Sequence, residues 1–562
     1  MKRALLAGVI VTILVVAAPA RAWEPPPALV VLMDGVSLPA LLRDPQLRAL
    51  ASHGGAALMN GRVSAVDETQ LVIDSRDTTP APVTAHGIHL RHGSPGVAAE
   101  AVSAWLDGRT GALADQPVLV MVVSVSPSAA TAADGDELGA VIAAWGDPDE
   151  LLEAMGEPRA LTSDSTRRAG VVATVDPAAT VAAWLGAPSD AGAPIEPTDE
   201  PVPLGLYERY LQQRRLAVPV AAASWSLMGV AGLAGVAALR WRRRVSARVL
   251  AIAAALAATL PWLALGLLLV GHLPSLTVWT VAPFLVGVMA AGVAAGRWVA
   301  DRRGILVALG ATGIVILVAL AFEAAAGWPA AITPLAGGGQ LDGGRFFGMP
   351  NVEIGLVLGA ALYVCQRIPT VWGVALLTTC ALVTGSPWTG SNLGAAITLF
   401  AAGGIWLGIR ASRPWWLTAL LTAATIAAGI AVMAVMHQYL TARPTHVTAF
   451  LEQGGGIAGA LDRLVDRLGV GLDLLADNPF AILPVVGTLV LLIVVLRPPP
   501  SIALSFQGRD AWRDAVLVIV LGSIVAYLAN DTGAAALGFG FGFALSGLLD
   551  VSLTTAREMM RR

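Results

Sequence analysis

The sequence predicts a two-part chain: an α/β extracytoplasmic domain over residues 23–215, then an all-α polytopic membrane domain of about eleven transmembrane helices over residues 216–562. Three observations carry this reading. The 562 residues are 56% hydrophobic and 13% charged, with a mean hydropathy of +0.70, too apolar for a soluble protein of this size. Most acidic residues fall before Arg215, where short Val-rich segments alternate with Ala/Leu-rich ones, the pattern of a water-solvated α/β domain. From Leu216 onward the charges thin out and long apolar runs recur. The same composition excludes other classes. A net charge of −3 shows no polybasic excess, so nucleic acid is not an expected partner. Cys365 and Cys380 both lie in apolar stretches and offer neither a disulfide framework nor a cysteine-based zinc site.

The first element is an address. Lys2 and Arg3 precede an apolar run from Ala4 to Pro19, and Ala20-Arg21-Ala22 has the small-x-small shape of a signal-peptidase site. Residues 1–22 are therefore read as a signal peptide, with an uncleaved anchor helix as the rival. The apolar run is short for a span of ~20 residues, which favours cleavage. Either way the following domain crosses the membrane.

The membrane half shows apolar runs near 217–239, 249–271, 275–296, 304–327, 352–366, 369–385, 391–409, 414–436, 479–496, 514–529 and 533–551. The pair 352–366 and 369–385 is short and can form a re-entrant hairpin instead, with the topology unchanged. Arginines orient the bundle, because cytoplasmic loops keep positive charge. With the α/β domain outside, seventeen arginines fall inside, among them Arg240, Arg242, Arg243, Arg244, Arg297, Arg410 and Arg513. Four fall outside: Arg345, Arg443, Arg463 and Arg467. The expected location is a plasma membrane, multipass, with the C-terminus cytoplasmic and the lipid bilayer as a partner.

Within the α/β domain, Ala28 to Met33 reads as a buried strand ending in Asp34-Gly35. A carboxylate at the carboxyl end of a central strand is where α/β sheets place ligands and metals. Pro45-Gln46-Leu47-Arg48-Ala49-Leu50-Ala51-Ser52-His53-Gly54-Gly55 follows. These residues resemble the alkaline phosphatase superfamily, whose first strand ends in Asp-Gly and leads to a "Pro-x-Leu-x-x-Leu-Ala-x-x-Gly-Ala" helix and turn. A second likeness runs from Leu161 to Thr180, where Gly170 to Val175 reads as a strand and Asp176-Pro177 as a helix start, with Asp176 a cap rather than a ligand. The closing piece also resembles a subgroup of multipass bacterial envelope proteins. The implied fold is a truncated alkaline-phosphatase-like domain.

That resemblance implies two metal ions, a Ser or Thr nucleophile and several Asp and His ligands. Asp34 matches the first ligand, the one position at which a divalent metal is expected if any binds, and Ser64 or Thr69 falls in the nucleophile region. No Asp-His pair follows Val118, and Asp134 and Asp136 have no histidine nearby. His86, His89 and His92 form the one histidine cluster; three imidazoles at spacing three can approach one metal with Asp34 as a fourth ligand, but the spacing is not a standard one and the cluster reads first as a solvated polar loop. The domain is accordingly read as degenerate and non-catalytic, with no cofactor.

Polar residues at membrane depth need a partner or a task, since insertion there costs on the order of 2.5–3.5 kcal/mol for a charged side chain. Arg345-Phe346-Phe347-Gly348-Met349-Pro350-Asn351-Val352-Glu353 opens a short run, Pro387-Trp388-Thr389-Gly390-Ser391-Asn392 joins two others, and Asn530-Asp531-Thr532-Gly533 joins the last two. Pro444-Thr445-His446 lies in a long loop. These stretches resemble the "Arg-Phe-x-Gly-x-x-Asn-Glu", "Pro-Trp-x-Gly-x-Asn" and "Asn-Asp-Ser-Gly" motifs of the same envelope-protein subgroup, with Val352 inserted and Thr532 in place of serine. Arg345, Asn351, Glu353, Asn392, His446, Asn530 and Asp531 are the candidate binding residues, on the side expected to carry the soluble domain. The bland alternative is that they cap helices and tie loops. Leu461 to Asp477 reads as an amphipathic surface helix. Three functions follow as expectations: an envelope protein that positions a phosphorylated or lipid-linked partner, a transporter or lipid flippase with a polar pocket, or a metal-dependent phosphatase or headgroup transferase.

Overall fold

A computed structural model describes residues 27–34, 36–60, 85–90, 94–108, 116–125, 139–153, 156–173, 176–186, 193–335, 339–341, 347–439, 482–530 and 534–561. The signal peptide, Ser64, Thr69, His92, Asp134, Asp136, Arg345, His446, Asp531 and the amphipathic segment 461–477 lie outside the described residues. The chain divides into two compact units, Met1–Arg214 with Gln340–Phe347, and Arg215–Gly339 with Gly348–Arg562. Gln340–Phe347, read from sequence as part of the membrane half, thus groups with the first unit. There Arg168 donates from Nη2 to Gln340 Oε1 at 3.0 Å, and the Arg167 guanidinium lies 4.6 Å from the Phe347 ring centre. These are tertiary contacts that composition does not encode.

The first unit is built on a mixed sheet. Its strands are β1 (Ala28–Asp34), β2 (Gly55–Asn60), β3 (Ala85–Leu90), β4 (Val118–Val125), β5 (Gly139–Gly146), β6 (Arg159–Ser163), β7 (Val171–Ala173) and β8 (Ile195–Pro201). The order is β3-β1-β4-β5-β2-β6-β8, with β7 beside β2. β3, β1 and β4 run parallel, while β5 runs antiparallel to both β4 and β2. Leu29, Val31 and Met33 in β1 and Val120 to Val122 in β4 are buried, as near-continuous apolar strands must be when both faces are covered. The segment of His86 and His89, expected as a loop, is strand β3, with Leu29 opposite His86 and Leu32 opposite His89. An edge strand is decided by its neighbour's ladder more than by its own residues.

Helix α1 (Pro45–His53) starts as its sequence dictates. Asp44 Oδ1 accepts from the amides of Gln46 and Leu47 at 3.0 and 3.1 Å, and Pro45 supplies a pre-set first turn. It ends at Gly54, where a Cβ would stand 2.0 Å from the carbonyl oxygen of Ala143. Gly54 is thus a close approach of backbone to β5, while a Cβ on Gly55 would stand 2.6 Å from the Leu161 side chain of β6. Helices α2 (Pro95–Asp107) and α3 (Asp176–Trp184) complete the layer.

Asp176 does more than begin α3. Its carboxyl accepts from Ser163 Oγ at 2.5 Å, Ser165 Oγ at 2.6 Å, the Ala173 amide at 2.6 Å and the Ala193 amide at 3.0 Å. One buried side chain therefore knots the ends of β6 and β7 to the approach to β8, which replaces the simple cap expected from sequence.

The second unit is helical: α4 (Leu204–Arg240), α5 (Ala247–His272, with breaks), α6 (Val278–Arg303), α7 (Ile305–Ala325), α8 (Ile354–Cys365), α9 (Thr370–Gly385), α10 (Leu393–Arg410), α11 (Trp415–Tyr439), α12 (Ile482–Leu496), α13 (Asp510–Ala529) and α14 (Ala534–Arg561). Eight helices among the described residues are long and apolar enough to cross a membrane, or nine if α12 and the bent Pro500–Phe506 form one span. The short stretches Asn351–Cys365 and Thr370–Gly385 fall below that length. At 1.5 Å per residue the first reaches about 22 Å against a hydrocarbon core of about 30 Å. Outward-facing aromatics mark the boundaries: exposed Trp279 and Trp298 on α6 stand about 28 Å apart along the axis. The multipass membrane reading rests on these helices.

Inside the bundle, helices meet through small residues. A Cβ on Gly359 would lie 2.2 Å from the Phe543 ring, and one on Gly547 2.4 Å from Trp512. Tyr363 packs edge-on against both rings, at 5.9 Å to Trp512 and 5.2 Å to Phe543, and donates its hydroxyl to the Phe543 carbonyl at 2.8 Å.

Asp176→Ala strands four donors and should destabilise β6 to β8 by about 3 kcal/mol, read on the full chain as roughly a hundredfold faster amide exchange there. Burial pushes the Asp176 carboxyl above its usual range, outweighing the serine hydroxyls and amides that pull it down. A carboxyl raised on folding favours the folded state when protonated. Protection of these strands should therefore decline as pH rises from the unfolded value of 3.8 through the higher folded one. Asp176→Asn should flatten that decline.

Candidate functional site

The sequence stretches around Gly348 and Gly390 interlock. Gly348 adopts a φ of +89°, and a Cβ there would stand 2.0 Å from the Gly390 carbonyl oxygen. The Met349 amide donates to that same oxygen at 2.9 Å. Three residues on, the pairing repeats with side chains: Asn392 Nδ2 donates to Asn351 Oδ1 at 3.0 Å and to the Met349 carbonyl at 3.1 Å. Asn392 Oδ1 accepts the Ala395 amide at 2.8 Å, which caps α10. Asn392 is fully buried, so every one of these bonds is made out of contact with solvent. The Trp328 indole donates to the Thr389 carbonyl at 2.5 Å and fixes the same loop from another side.

Asn530, at the end of α13, joins this assembly. A Cβ on Gly394 would lie 2.2 Å from its Oδ1, two residues past Asn392, while its Nδ2 donates to Ala526 O at 2.9 Å. The structure thus brings Asn351, Glu353, Asn392 and Asn530 to the ends of α8, α10 and α13. Arg345, His446 and Asp531 lie outside the described residues.

Glu353 differs from the asparagines. It closes the 3-10 turn Asn351–Glu353 ahead of α8, is 0% exposed, and neither of its carboxyl oxygens has a hydrogen-bond partner. Val352 and Ile354 flank it, both buried. Leaving a carboxylate so enclosed without a partner costs several kcal/mol. The helix N-terminus it occupies returns about 1 kcal/mol at most. Such a placement makes Glu353 a candidate functional residue.

Two residues that sequence reasoning missed stand beside it. Glu323 on α7 interacts electrostatically with Glu353, hydrogen-bonds His272 at the end of α5, and accepts the Ala330 amide at 3.1 Å. The signal was present: Glu323 is an acid inside the apolar run 304–327, and His272 ends the run 249–271.

Two further ion pairs stand among the described residues of the second unit. Arg297 bonds Asp550 at 2.6 Å and Arg410 bonds Asp514 at 2.9 Å, so arginines read only as topology markers also tie α6 to α14 and α10 to α13. Arg297 and Asp550 share a cavity of about 20 Å³ with Thr312, Tyr363 and Ser546. That volume holds about one water.

In the first unit, Asp34 ends β1, opposite Val125 of β4. Among the described residues no group of three His, Cys, Asp or Glu side chains is arranged to hold a metal ion. No family model, curated protein or solved structure matches this chain.

Asn392→Ala removes a helix cap, about 1 kcal/mol, and strands the Asn351 oxygen and Met349 carbonyl, about 1–3 kcal/mol more. A loss of about 2–4 kcal/mol is expected in reversible unfolding of the full chain in micelles. Asn392→Asp keeps the cap acceptor but sets a carboxyl oxygen against the Asn351 oxygen and the Met349 carbonyl in a fully buried site, so it should lose at least as much.

Proposed function

We propose that this chain is a multipass transport protein of the bacterial plasma membrane, a transporter or lipid flippase, whose site is the polar turn formed by Asn351, Glu353, Asn392 and Asn530 with Glu323 and His272. One observation carries the reading: Glu353 is wholly enclosed and unpartnered at the first turn of a short helix inside a bundle of membrane-length helices. Short helices that begin within the membrane are how many transporters build a site from backbone and side-chain polar groups. The cargo we propose is a phosphorylated or lipid-linked envelope molecule. The α/β unit, in this reading extracytoplasmic, alkaline-phosphatase-like and non-catalytic, positions that cargo. Its orientation rests on the arginine asymmetry of the loops.

A second reading, metal-dependent hydrolysis at Asp34, draws on one feature. Asp34 stands at the carboxyl end of β1, between parallel β3 and β4, where open α/β sheets bind ligands.

Purified protein in liposomes should move a fluorescent phospholipid between leaflets, and Glu353→Gln or Asn392→Ala should slow that movement at least about tenfold. Unchanged rates in both variants would remove the transport reading. Elemental analysis of the full chain should find no stoichiometric zinc, manganese or calcium. Metal that is present and lost in Asp34→Ala would instead establish the hydrolytic reading.

A further inference from the structure

Three ionisable side chains from three different elements stand in a row of falling exposure. The His272 side chain is 47% exposed, that of Glu323 6%, and Glu353 0%. His272 Nε2 hydrogen-bonds Glu323 Oε1, and Glu323 in turn interacts electrostatically with Glu353. Among the described residues, the other groups around Glu353 are neutral. Asn392 caps α10, and Ser523 and Asn530 belong to the stretch of α13 that nears this end. α9 carries no ionisable side chain besides Cys380, and charged residues of α10, α13 and α14 such as Arg410, Asp514 and Asp550 sit at the opposite ends of those helices.

We propose that Glu353 is a proton-binding group, loaded from the membrane surface through His272 and Glu323. Each of the three can hold one proton. His272 takes a proton from water on its free ring nitrogen and passes its Nε2 proton to Glu323. Glu323 is not within hydrogen-bond reach of Glu353 in this structure, so it releases its proton once a side-chain movement or an entering water closes that gap, and the net change is one proton moved from water to the enclosed carboxyl. The enclosure explains why the ligand is so small: Asn351, Val352, Glu353 and Ile354 are all buried, and among the described residues no group of three His, Cys, Asp or Glu side chains is placed to hold a metal ion. Only a proton neutralises the group without adding volume. This inference deepens the transport reading and rests on it for its purpose, which is to couple proton entry to movement of cargo.

The test is infrared spectroscopy of the full chain in liposomes of phosphatidylethanolamine and phosphatidylglycerol at neutral pH. The C=O stretch of a protonated carboxyl stands apart from ionised carboxylates and shifts in deuterated water. Wild type should show this band, Glu353→Gln should lose it, and Glu353→Asp should keep it at a changed frequency, which guards against a variant that merely misfolds. In His272→Ala and Glu323→Gln the Glu353 band should persist while its deuterium shift slows about a hundredfold. A spectrum in which Glu353→Gln removes no protonated-carboxyl band overturns the proposal, as does an unchanged exchange rate in both relay variants. If lipid movement is still lost in Glu353→Gln while no such band exists, the transport site stands and the proton does not.

Discussion

Hydrocarbon offers no hydrogen bonds, so every backbone group that a helix end exposes inside a membrane must be satisfied by the protein itself. The second unit depends on how it meets this constraint. α8 and α10 both begin among buried residues, and their first turns are closed by each other: Gly348 against Gly390, Asn351 against Asn392. The glycines permit the backbones to touch, and the asparagines, able to donate and accept at once, use the contact. With the ends sealed in this way, a carboxyl can be held at that depth without water reaching it. Glu353 is the residue so held.

The first unit applies the same economy with different chemistry. Gly54 lets α1 end against β5, and Asp176 gathers four donors from separate segments into one buried point. In the second unit the glycine permits the approach and the amide side chain secures it, so there the glycine motifs and the polar motifs are two halves of single contacts. In the first unit the two devices act at separate points.

Much of this was legible beforehand, for reasons of periodicity and local chemistry. α1 follows from Asp44, Pro45 and Gly54, each of which acts on its immediate neighbours. The apolar runs follow from composition, and Asn351, Glu353, Asn392 and Asn530 stood out because polarity at such positions is costly. What escaped was whatever depends on averaging or on distant partners. Glu323 sits near the end of a helix whose most apolar eighteen-residue stretch has a mean hydropathy of 2.8 and stops short of it, so a window that finds the helix passes over the acid. β3 is a strand because β1 offers it a ladder, and Gln340–Phe347 joins the first unit through Arg167 and Arg168, far away in sequence. Among the described residues eight or nine helices reach membrane length, because apolarity does not measure reach and the pair 352–366 and 369–385 is short.

The shortness of α8 has an effect on how the protein answers to its lipids. Its residues are almost entirely covered by neighbouring helices, among them α7, α9, α13 and α14. Acyl chains meet the long outer helices instead, with their tryptophan-marked edges, and those fix the match to bilayer thickness. A thicker or thinner membrane would tilt the outer ring before it strained the inner turn. The enclosed carboxyl is insulated from lipid composition by the helices that hide it.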